Sequence, residues 1–484
     1  MEAKLLRSFL LCLSVITIAT LAFGQAATGR FSGTVSGPDG LIANATVVVT
    51  DNQTQQSKTV STNDQGAFSF PQLAVGTYTV TFSAPGFKTL SATEVKIDVG
   101  KEYVLTPTLE VGAIEENVNV YEGADIVNST NAELSHTVTE TQMLGLPING
   151  RDPSSLIQLQ PGVSQGGEVN GQRTSAQNIT RDGLNVQDNF IRTNAFNPDR
   201  PRIDDVSEFT IVTQNSNPSL GSGGTSQVQY VTSRGGTEFH GALYEYNQNA
   251  ALASNGFFNN RNGVEKPPFN QNQFGGKVSG PIWPIRKAFF FFDYEGLRLP
   301  QTSSTTRTIL TPSARQGIFT YVDDDGNTRQ FDVLGSQGLN INPLISSRIL
   351  SGLPATGNNN QVGDQLNTTG FTFNQRADVK INLSTTRIDY DISQKKTVNF
   401  VWHRTTDNFL RPDTDTGGFN TTPFGSQTAT TNELIDAFNW SLSNKLNNEV
   451  RGGYQKSNPF FNTSGLPSDF FIGFPLTDTP GKSF

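Results

Sequence analysis

Thr386-Arg387-Ile388-Asp389-Tyr390-Asp391-Ile392 alternates without a break. Thr386, Ile388, Tyr390 and Ile392 fall on one side, and Arg387, Asp389 and Asp391 on the other. A period of two is the period of a strand, whose successive side chains leave opposite faces. Outward from this stretch the pattern recurs. Ala288, Phe290, Phe292 and Tyr294 oppose Asp293 and Glu295; Val398, Phe400 and Trp402 oppose Asn399 and His403. Phe438, Trp440 and Leu442 oppose Asn439, Ser441 and Ser443, and Val450 and Tyr454 flank Arg451. One such segment fits a soluble sandwich strand equally. Repeated segments of roughly ten residues, apolar outside and polar inside, are the pattern of a transmembrane β-barrel around a wet lumen. Tyr244, Tyr246, Tyr294, Trp402, Trp440 and Tyr454 are expected on the outward set, as interfacial aromatic girdles. The polar stretches Gln301 to Asn374 and Thr405 to Thr431 are expected to be long external loops, uncommon in a compact soluble domain but ordinary in barrels.

Composition agrees with strands that have one wet face. The 484 residues include 35% apolar residues, below the roughly 45–50% usual for a globular chain, yet 34 Phe and 46 Gly. Disordered chains are poor in aromatic residues, so disorder does not fit. A net charge of -8 argues against nucleic acid as a partner, which calls for clustered Lys and Arg. Lys4 and Arg7 followed by the apolar run Leu5 to Phe23, with small residues at Gly24 and Ala26, make residues 1–26 an expected secretory signal peptide. The only Cys is Cys12, inside that run, so disulfides and thiolates are not expected in the exported chain. No later segment has the roughly 18 apolar residues of a spanning helix. A membrane protein of this sequence has to be a closed barrel, because lipid cannot satisfy open backbone groups.

Ahead of the alternating region, residues 28–110 read as short strands separated by turn chemistry. Arg30 to Val35, Ala45 to Thr50, Lys58 to Thr62, Ala67 to Phe70, Thr77 to Phe82, Val95 to Val99 and Glu102 to Leu109 are the expected strands. Gly37-Pro38-Asp39-Gly40, Asn63-Asp64-Gln65-Gly66, Pro71 and Gly76 divide them. This is an antiparallel sandwich pattern. Gly33-Thr34-Val35, Pro38-Asp39-Gly40, Ala45-Thr46-Val47, Asp64-Gln65-Gly66-Ala67-Phe68, Gly76-Thr77-Tyr78 and Pro85-Gly86-Phe87 resemble the carboxypeptidase regulatory-like domain. That module has no peptidase activity; the resemblance implies a spacer or docking unit in a carbohydrate-binding-like fold.

Residues 112–226 change character. Thr139 to Leu146 is helix-compatible and stopped by Pro147, and Asp152-Pro153 offers a cap with Pro at the first helical position before Ser154 to Gln160. A small α/β domain enclosed in something larger is expected. Leu146-Pro147-Ile148-Asn149-Gly150-Arg151-Asp152, Gln160-Pro161-Gly162, Val169-Asn170-Gly171-Gln172-Arg173, Arg181-Asp182-Gly183 and the junction Gly221 to Gly241 resemble TonB-dependent receptors of the Oar-like branch. So do Asn272-Gln273-Phe274-Gly275-Gly276 and Gly280-Pro281-Ile282. The resemblance implies a plug domain at 112–226 and the first strands of a transmembrane antiparallel barrel at 227–484. The expected fold is thus mainly β: sandwich, small α/β plug, then partial barrel. The Gly-rich junction suits a chain turning from plug to wall, since Gly accepts φ > 0 and close backbone approach.

The resemblance further implies an outer-membrane receptor that takes up or exports a ligand through a plugged barrel. Its partners would be outer-membrane lipid, an inner-membrane TonB-type energy-transducing complex, and a ligand such as an iron chelate, a glycan, a peptide or a protein. Arg151, Asp152, Arg173, Arg181 and Asp182 are the candidate polar plug–wall contact, able to release without baring apolar surface. Val118, Asn119, Val120 and Tyr121 are the candidate energy-coupling segment, suited to strand addition. Barrels that hold a plug have about 22 strands, whereas about eight to ten segments of roughly ten residues are found here. The reading frame is therefore expected to continue past Phe484, or the chain to be a truncated product. His136, His240 and His403 form no zinc pattern, and no Gly-x-Ser-x-Gly elbow occurs. No enzyme activity, catalytic residue, metal ligand or cofactor is expected. Asp323-Asp324-Asp325-Gly326-Asn327 lacks the acidic twelfth position of a calcium loop and reads as a polar turn. The rival class is an outer-surface adhesion or carbohydrate-binding protein without transport.

Overall fold

A computed structural model describes residues 27–112, 117–119, 133–188, 199–216, 226–261, 263–285, 287–414, 419, 422–443 and 446–463. The stretch expected to be a signal peptide lies outside them.

The chain first builds a sandwich. Ala67–Ala74, Thr28–Thr34 and Glu102–Leu105 form one sheet, with Thr28–Thr34 in the middle. Thr89–Ile97, Gly76–Ser83, Thr46–Asp51 and Ser57–Ser61 form the other, in that spatial order. The burial alternation of Thr46–Asp51 places Val47 and Val49 inside. Phe31, Phe68, Phe70 and Phe82 join them in one core, Phe31 and Phe68 with ring centres 5.5 Å apart. Two differences from the sequence reading have local causes. The strand expected to stop before Pro71 continues to Ala74, because Ala67–Ala74 lies at a sheet edge. The register also shifts at Pro71-Gln72, so no ladder bond is asked of the proline. The strand expected from Val95 begins at Thr89, where Leu90 and Ala92 continue the inward set. Asn117–Asn119 adds to this sheet, parallel to Thr89–Ser91.

The plug has a mixed five-stranded sheet ordered Leu134–Thr139, Val206–Gln214, Gln227–Thr232, Asn178–Arg181, Leu184–Asn185. Phe209, Ile211 and Val228 are fully buried in it, beside Met143 and Ile179. The expected helix is Glu140–Gly145. Thr139 accepts from the Gln142 amide and the Gln142 side chain accepts from the Thr139 amide, a reciprocal capping box. Asp152 caps Pro153–Leu159 as expected, its Oδ1 accepting from the Ser154 amide at 2.9 Å. That element is a 3-10 helix. Pro161 forces Gln160 into extended backbone, which ends it.

The wall is an antiparallel meander whose strands bond in chain order, with residues 300–378 inserted between the third and the fourth. His240–Asn249, Asn270–Pro281, Ala288–Leu299, Val379–Ser393, Lys396–Leu410, Gly425–Ser443 and Leu446–Ser457 follow one another, and Phe460–Thr463 pairs with the start of Gly425–Ser443. The outer face exposes Leu243, Val278, Phe292, Ile388, Tyr390, Leu434, Val450 and Tyr454, the apolar set a lipid-facing wall needs. The inner face buries Asp293, Glu295, Thr385, Arg387, His403 and Glu433.

The strands are longer than the sequence suggested. Gly425–Ser443 has 19 residues, about 60 Å of strand and about 45 Å of height at a tilt of about 45°, against a hydrocarbon core of about 30 Å. So Thr405–Leu410 and Gly425–Thr431, expected in a loop, belong to strands that stand clear of the lipid and carry polar, β-branched Thr. Gln301 to Asn374 is likewise structured. Thr302–Leu310 pairs with Thr368–Arg376 as a two-stranded sheet of its own, and the stretch between them carries a small hairpin of Ile318–Val322 and Thr328–Asp332. Asp323-Asp324-Asp325-Gly326-Asn327 is the tip of that hairpin, a polar turn in which Asp323 accepts from the Asn327 amide at 2.7 Å.

Candidate functional site

Arg181 ends the plug strand Asn178–Arg181 and is 1% exposed. Its Nη1 donates to Asp199 Oδ1 at 2.8 Å, its Nη2 to Asp205 Oδ2 at 2.5 Å, and its Nε to Thr232 Oγ1 at 3.4 Å. The next residue, Asp182, turns the chain at φ +47°, a conformation Asp tolerates better than most residues. Its carboxylate accepts from the Thr232 amide at 3.0 Å and from the Thr232 hydroxyl at 2.5 Å. The wall closes the cluster. Arg387 lies 3.6 Å and His403 3.8 Å from the Asp182 carboxylate. Thr385 donates to Asp205 at 2.8 Å, Arg387 donates to the Thr232 carbonyl at 2.7 Å, and Arg451 donates to the Asp182 carbonyl.

A second set of charges extends the contact. Arg151 pairs with Asp204 and lies 4.0 Å from the centre of the Tyr246 ring and 5.4 Å from that of Tyr244. Lys277 of the wall bridges Glu140 at 2.8 Å and Asp204 at 3.3 Å. Arg202 pairs with Glu295 at 3.1 Å, and Arg200 with Asp407 at 3.1 Å. Plug and wall therefore meet through ion pairs and hydrogen bonds interleaved with buried inner-face apolar residues, among them Phe291, Leu383, Val401 and Ile435. Breaking one buried partner of such an ion pair alone is costly.

The electrostatics of the plug side follow from these partners. Burial opposes ionisation of Asp182, but His403, Arg387 and Thr232 hold its carboxyl well below the usual range. Burial is likewise outweighed at Asp205 by Arg181 and His403. Both groups thus stabilise the seated plug above the ordinary carboxylate range, and that contribution is lost as pH falls through their depressed values.

Of the sequence-selected residues, Arg181, Asp182 and Arg151 lie in this contact. Asp152 is used as the cap already described. Arg173 is exposed and precedes a short 3-10 turn without capping it. In the candidate coupling segment, Val118 and Asn119 are paired with the sandwich, while Val120 and Tyr121 fall outside the described residues. Tyr244 and Tyr246, expected outside, face the plug: they stand opposite Gly275 and Gln273, which share the inner face. Asp199, Arg200, Arg202, Asp204 and Asp205 belong to the contact as well, although nothing in the motifs singles them out. The available signal was five charges in seven residues directly before a strand, Val206–Gln214, that is almost wholly buried.

The sandwich reaches the plug as well. Glu208 Oε1 accepts from the Val99 amide at 2.8 Å, and Lys96 lies 3.9 Å from its other oxygen and 2.8 Å from Asp98. Burial, and then the Asp98 carboxylate, push the Glu208 carboxyl up to about 8. Docked sandwich therefore binds more protons than undocked, and docking weakens as pH rises from the ordinary Glu value of roughly 4.3 toward 8. Glu208→Gln keeps the accepting oxygen and removes the titration. Hydrogen exchange at residues 96–101, compared at pH 6 and pH 9, is expected to show about tenfold greater loss of protection in the wild type than in Glu208→Gln. Equal loss in both proteins would count against the protonated contact.

An apolar-out, polar-in meander packed against a charged internal domain defines a plugged outer-membrane barrel. The family model described as "Outer membrane beta barrel domain" matches residues 231–482, more than half of the chain, and the chain belongs to that family and to the outer membrane. A second model, "Carboxypeptidase regulatory-like domain", matches residues 30–110. The TonB-dependent transporter Oar of Myxococcus xanthus is 26% identical over 334 residues, which cover 65% of this chain and 30% of the relative. The chain thus spans about 30% of the length of that curated relative. Among solved structures, the outer membrane transporter YddB of Escherichia coli aligns with a TM-score of 0.40 and 12% identity, over 64% of this chain and 37% of its own. A ferric enterobactin receptor mutant of Pseudomonas aeruginosa aligns at 0.38 and 13%, over 68% and 42%.

Proposed function

We propose that this chain forms the inner domain, plug and first wall strands of a TonB-dependent outer-membrane receptor that moves a ligand past its plug. The observation that carries the reading is the buried plug–wall layer around Arg181, built of charges on both sides. A domain meant to stay in place is held more simply by apolar packing; one that must leave and return is served by a surface stable both buried and hydrated. Similarity to the Oar transporter supports the same reading. Ligand capture falls to the long outer strands and the hairpin they carry. Energy comes from an inner-membrane TonB-type complex that engages Val118, Asn119, Val120 and Tyr121. Because Asn117–Asn119 pairs with Thr89–Ser91, engagement exchanges that pairing for a strand of the partner.

The test is surface plasmon resonance between the detergent-solubilised full-length protein and the periplasmic domain of its host's TonB-type partner. Saturable binding is expected, weakened at least tenfold by Val118→Pro, since proline removes a strand-pairing donor. Absence of binding to the wild-type protein would refute energised transport.

A further inference from the structure

The sandwich closes one end of the plug–wall contact. Arg234, in the link between plug and wall, pairs with Asp51 at 2.6 Å. Gln53 Nε2 donates to the Arg234 carbonyl at 3.1 Å, and the Thr237 amide donates to the Gln53 carbonyl at 3.1 Å. Gln72 Nε2 donates to Glu449 of the wall at 3.4 Å. With the Glu208–Val99 bond, the sandwich is attached to the link, the plug and the wall. Between these attachments lies a cavity of about 390 Å³, lined by Lys58, Arg234, Arg387, Asp389, Asn399 and Arg451. It reaches Asp182, so it is continuous with the charged layer around Arg181.

The loops identify which end this is. On the sandwich side the wall strands are joined by short turns, as between Ser393 and Lys396. On the far side they are joined through Ala250 to Phe269 and through the hairpin-bearing stretch after Leu299. Outer-membrane barrels keep short turns toward the periplasm and long loops outside. The sandwich is therefore on the periplasmic end.

We propose that the sandwich is an inner lid, docked over the periplasmic mouth of the plug–wall path, and that passage requires it to swing off. Its grip on the link at Arg234 makes plug displacement and lid release one motion. The named attachments are all polar, although Leu73, Phe289 and Val401 also line the cavity between them. The inference rests on the transport reading above.

One position supplies both a lock and a wedge. A Cβ on Gly236 would lie 2.7 Å from Gln53 Cγ and 2.8 Å from the Gln53 carbonyl oxygen, and no other part of the protein crowds it. Gln53→Cys with Gly236→Cys brings two thiols within disulfide reach once the Gln53 edge of the sandwich gives by a few tenths of an ångström, and the only Cys in this sequence is Cys12. Gly236→Trp wedges the sandwich away. The experiment measures KCl conductance of the full-length protein in planar bilayers, with the plug loosened by Arg181→Glu, or by Asp205→Asn should the first variant fail to insert. The cysteine pair is expected to cross-link in native outer membranes, seen as a reductant-sensitive gel shift. The oxidised protein should conduct at least tenfold less than the reduced one, and Gly236→Trp should conduct more than either. Equal conductance locked and unlocked, or no cross-link, overturns the lid while leaving transport standing. If no form conducts even with the plug loosened, the path itself is disproved, and the lid with it.

Discussion

Arg181→Glu is expected to unseat the plug and turn a sealed barrel into a leaking one. The substitution removes the donor to Asp199, Asp205 and Thr232 and puts a fourth carboxylate among Asp199, Asp205 and Asp182. Breaking one member of a buried ion cluster costs about 3–5 kcal/mol, because the remaining charges keep their desolvation and lose their partner. The new charge adds repulsion to that loss. Those three partners lie on the plug side, so the loss reaches the seat through Asp205 and Asp182, which the same cluster presents to Thr385, Arg387 and His403 of the wall. An unseated state is then expected to rise by up to roughly 10² to 10³, at 1.4 kcal/mol per decade. Arg151→Glu should do less. Arg151 is only partly buried, and Lys277 also reaches its partner Asp204. Entry of a large antibiotic into cells, scored as sensitivity relative to wild type, distinguishes the two. Arg181→Glu is expected to sensitise strongly and Arg151→Glu weakly. Unchanged sensitivity in both would remove the electrostatic account of plug seating.

The difference between these arginines could not be read from sequence, and the reason is general. Alternation in Thr386 to Ile392 or Val398 to Trp402 marks strands and separates their faces, because one face meets lipid and the other meets charge. It does not say which face is inside when both carry aromatic and polar groups. In His240–Asn249, Tyr244 and Tyr246 read as outward from the pattern alone, yet they line the inner face where Arg151 covers them. The same ambiguity hid the strand ends near Thr405 and Thr431, whose polar residues read as loop although their alternation continued. In Asp199 to Asp205 the difficulty was the opposite. A run of charges ordinarily means a solvated face, and only the tertiary fit of plug into wall makes these residues buried and mutually paired. The sequence-derived site thus found Arg151, Arg181 and Asp182, which sit beside recognisable turns. It lost their partners, which are distant in the chain: Asp205 with Thr385, and Asp182 with Arg387 and His403.

Gly235→Ala is expected to abolish assembly of the folded barrel, whereas Gly236→Ala should leave the barrel intact and disturb only the sandwich. The Gly-Gly link was expected to need glycine either for φ > 0 or for close approach, and neither residue has a positive φ. Close approach is the reason. A Cβ on Gly235 would run into the carbonyl oxygen of Phe290 and lie 2.9 Å from the Gly280 carbonyl oxygen and the Phe290 amide nitrogen. These atoms belong to backbone in the second and third wall strands and cannot turn aside as a side chain can. A single methyl group must therefore push the link off the wall or open the ladder between Asn270–Pro281 and Ala288–Leu299, where Gly280 and Phe290 are directly paired. Either outcome displaces the start of the first wall strand, on whose placement the seating of Tyr244 and Tyr246 against Arg151 depends. At Gly236 the obstructing atoms belong to Gln53 of the sandwich, so the wall is untouched. Heat-modifiable migration of membrane-extracted protein reads barrel closure directly. Gly235→Ala should lose the fast-migrating unheated band by at least tenfold, and Gly236→Ala should retain it. A folded band of normal intensity in Gly235→Ala would mean that the link does not pack against the wall as described, and with it the connection between plug position and lid release would fall.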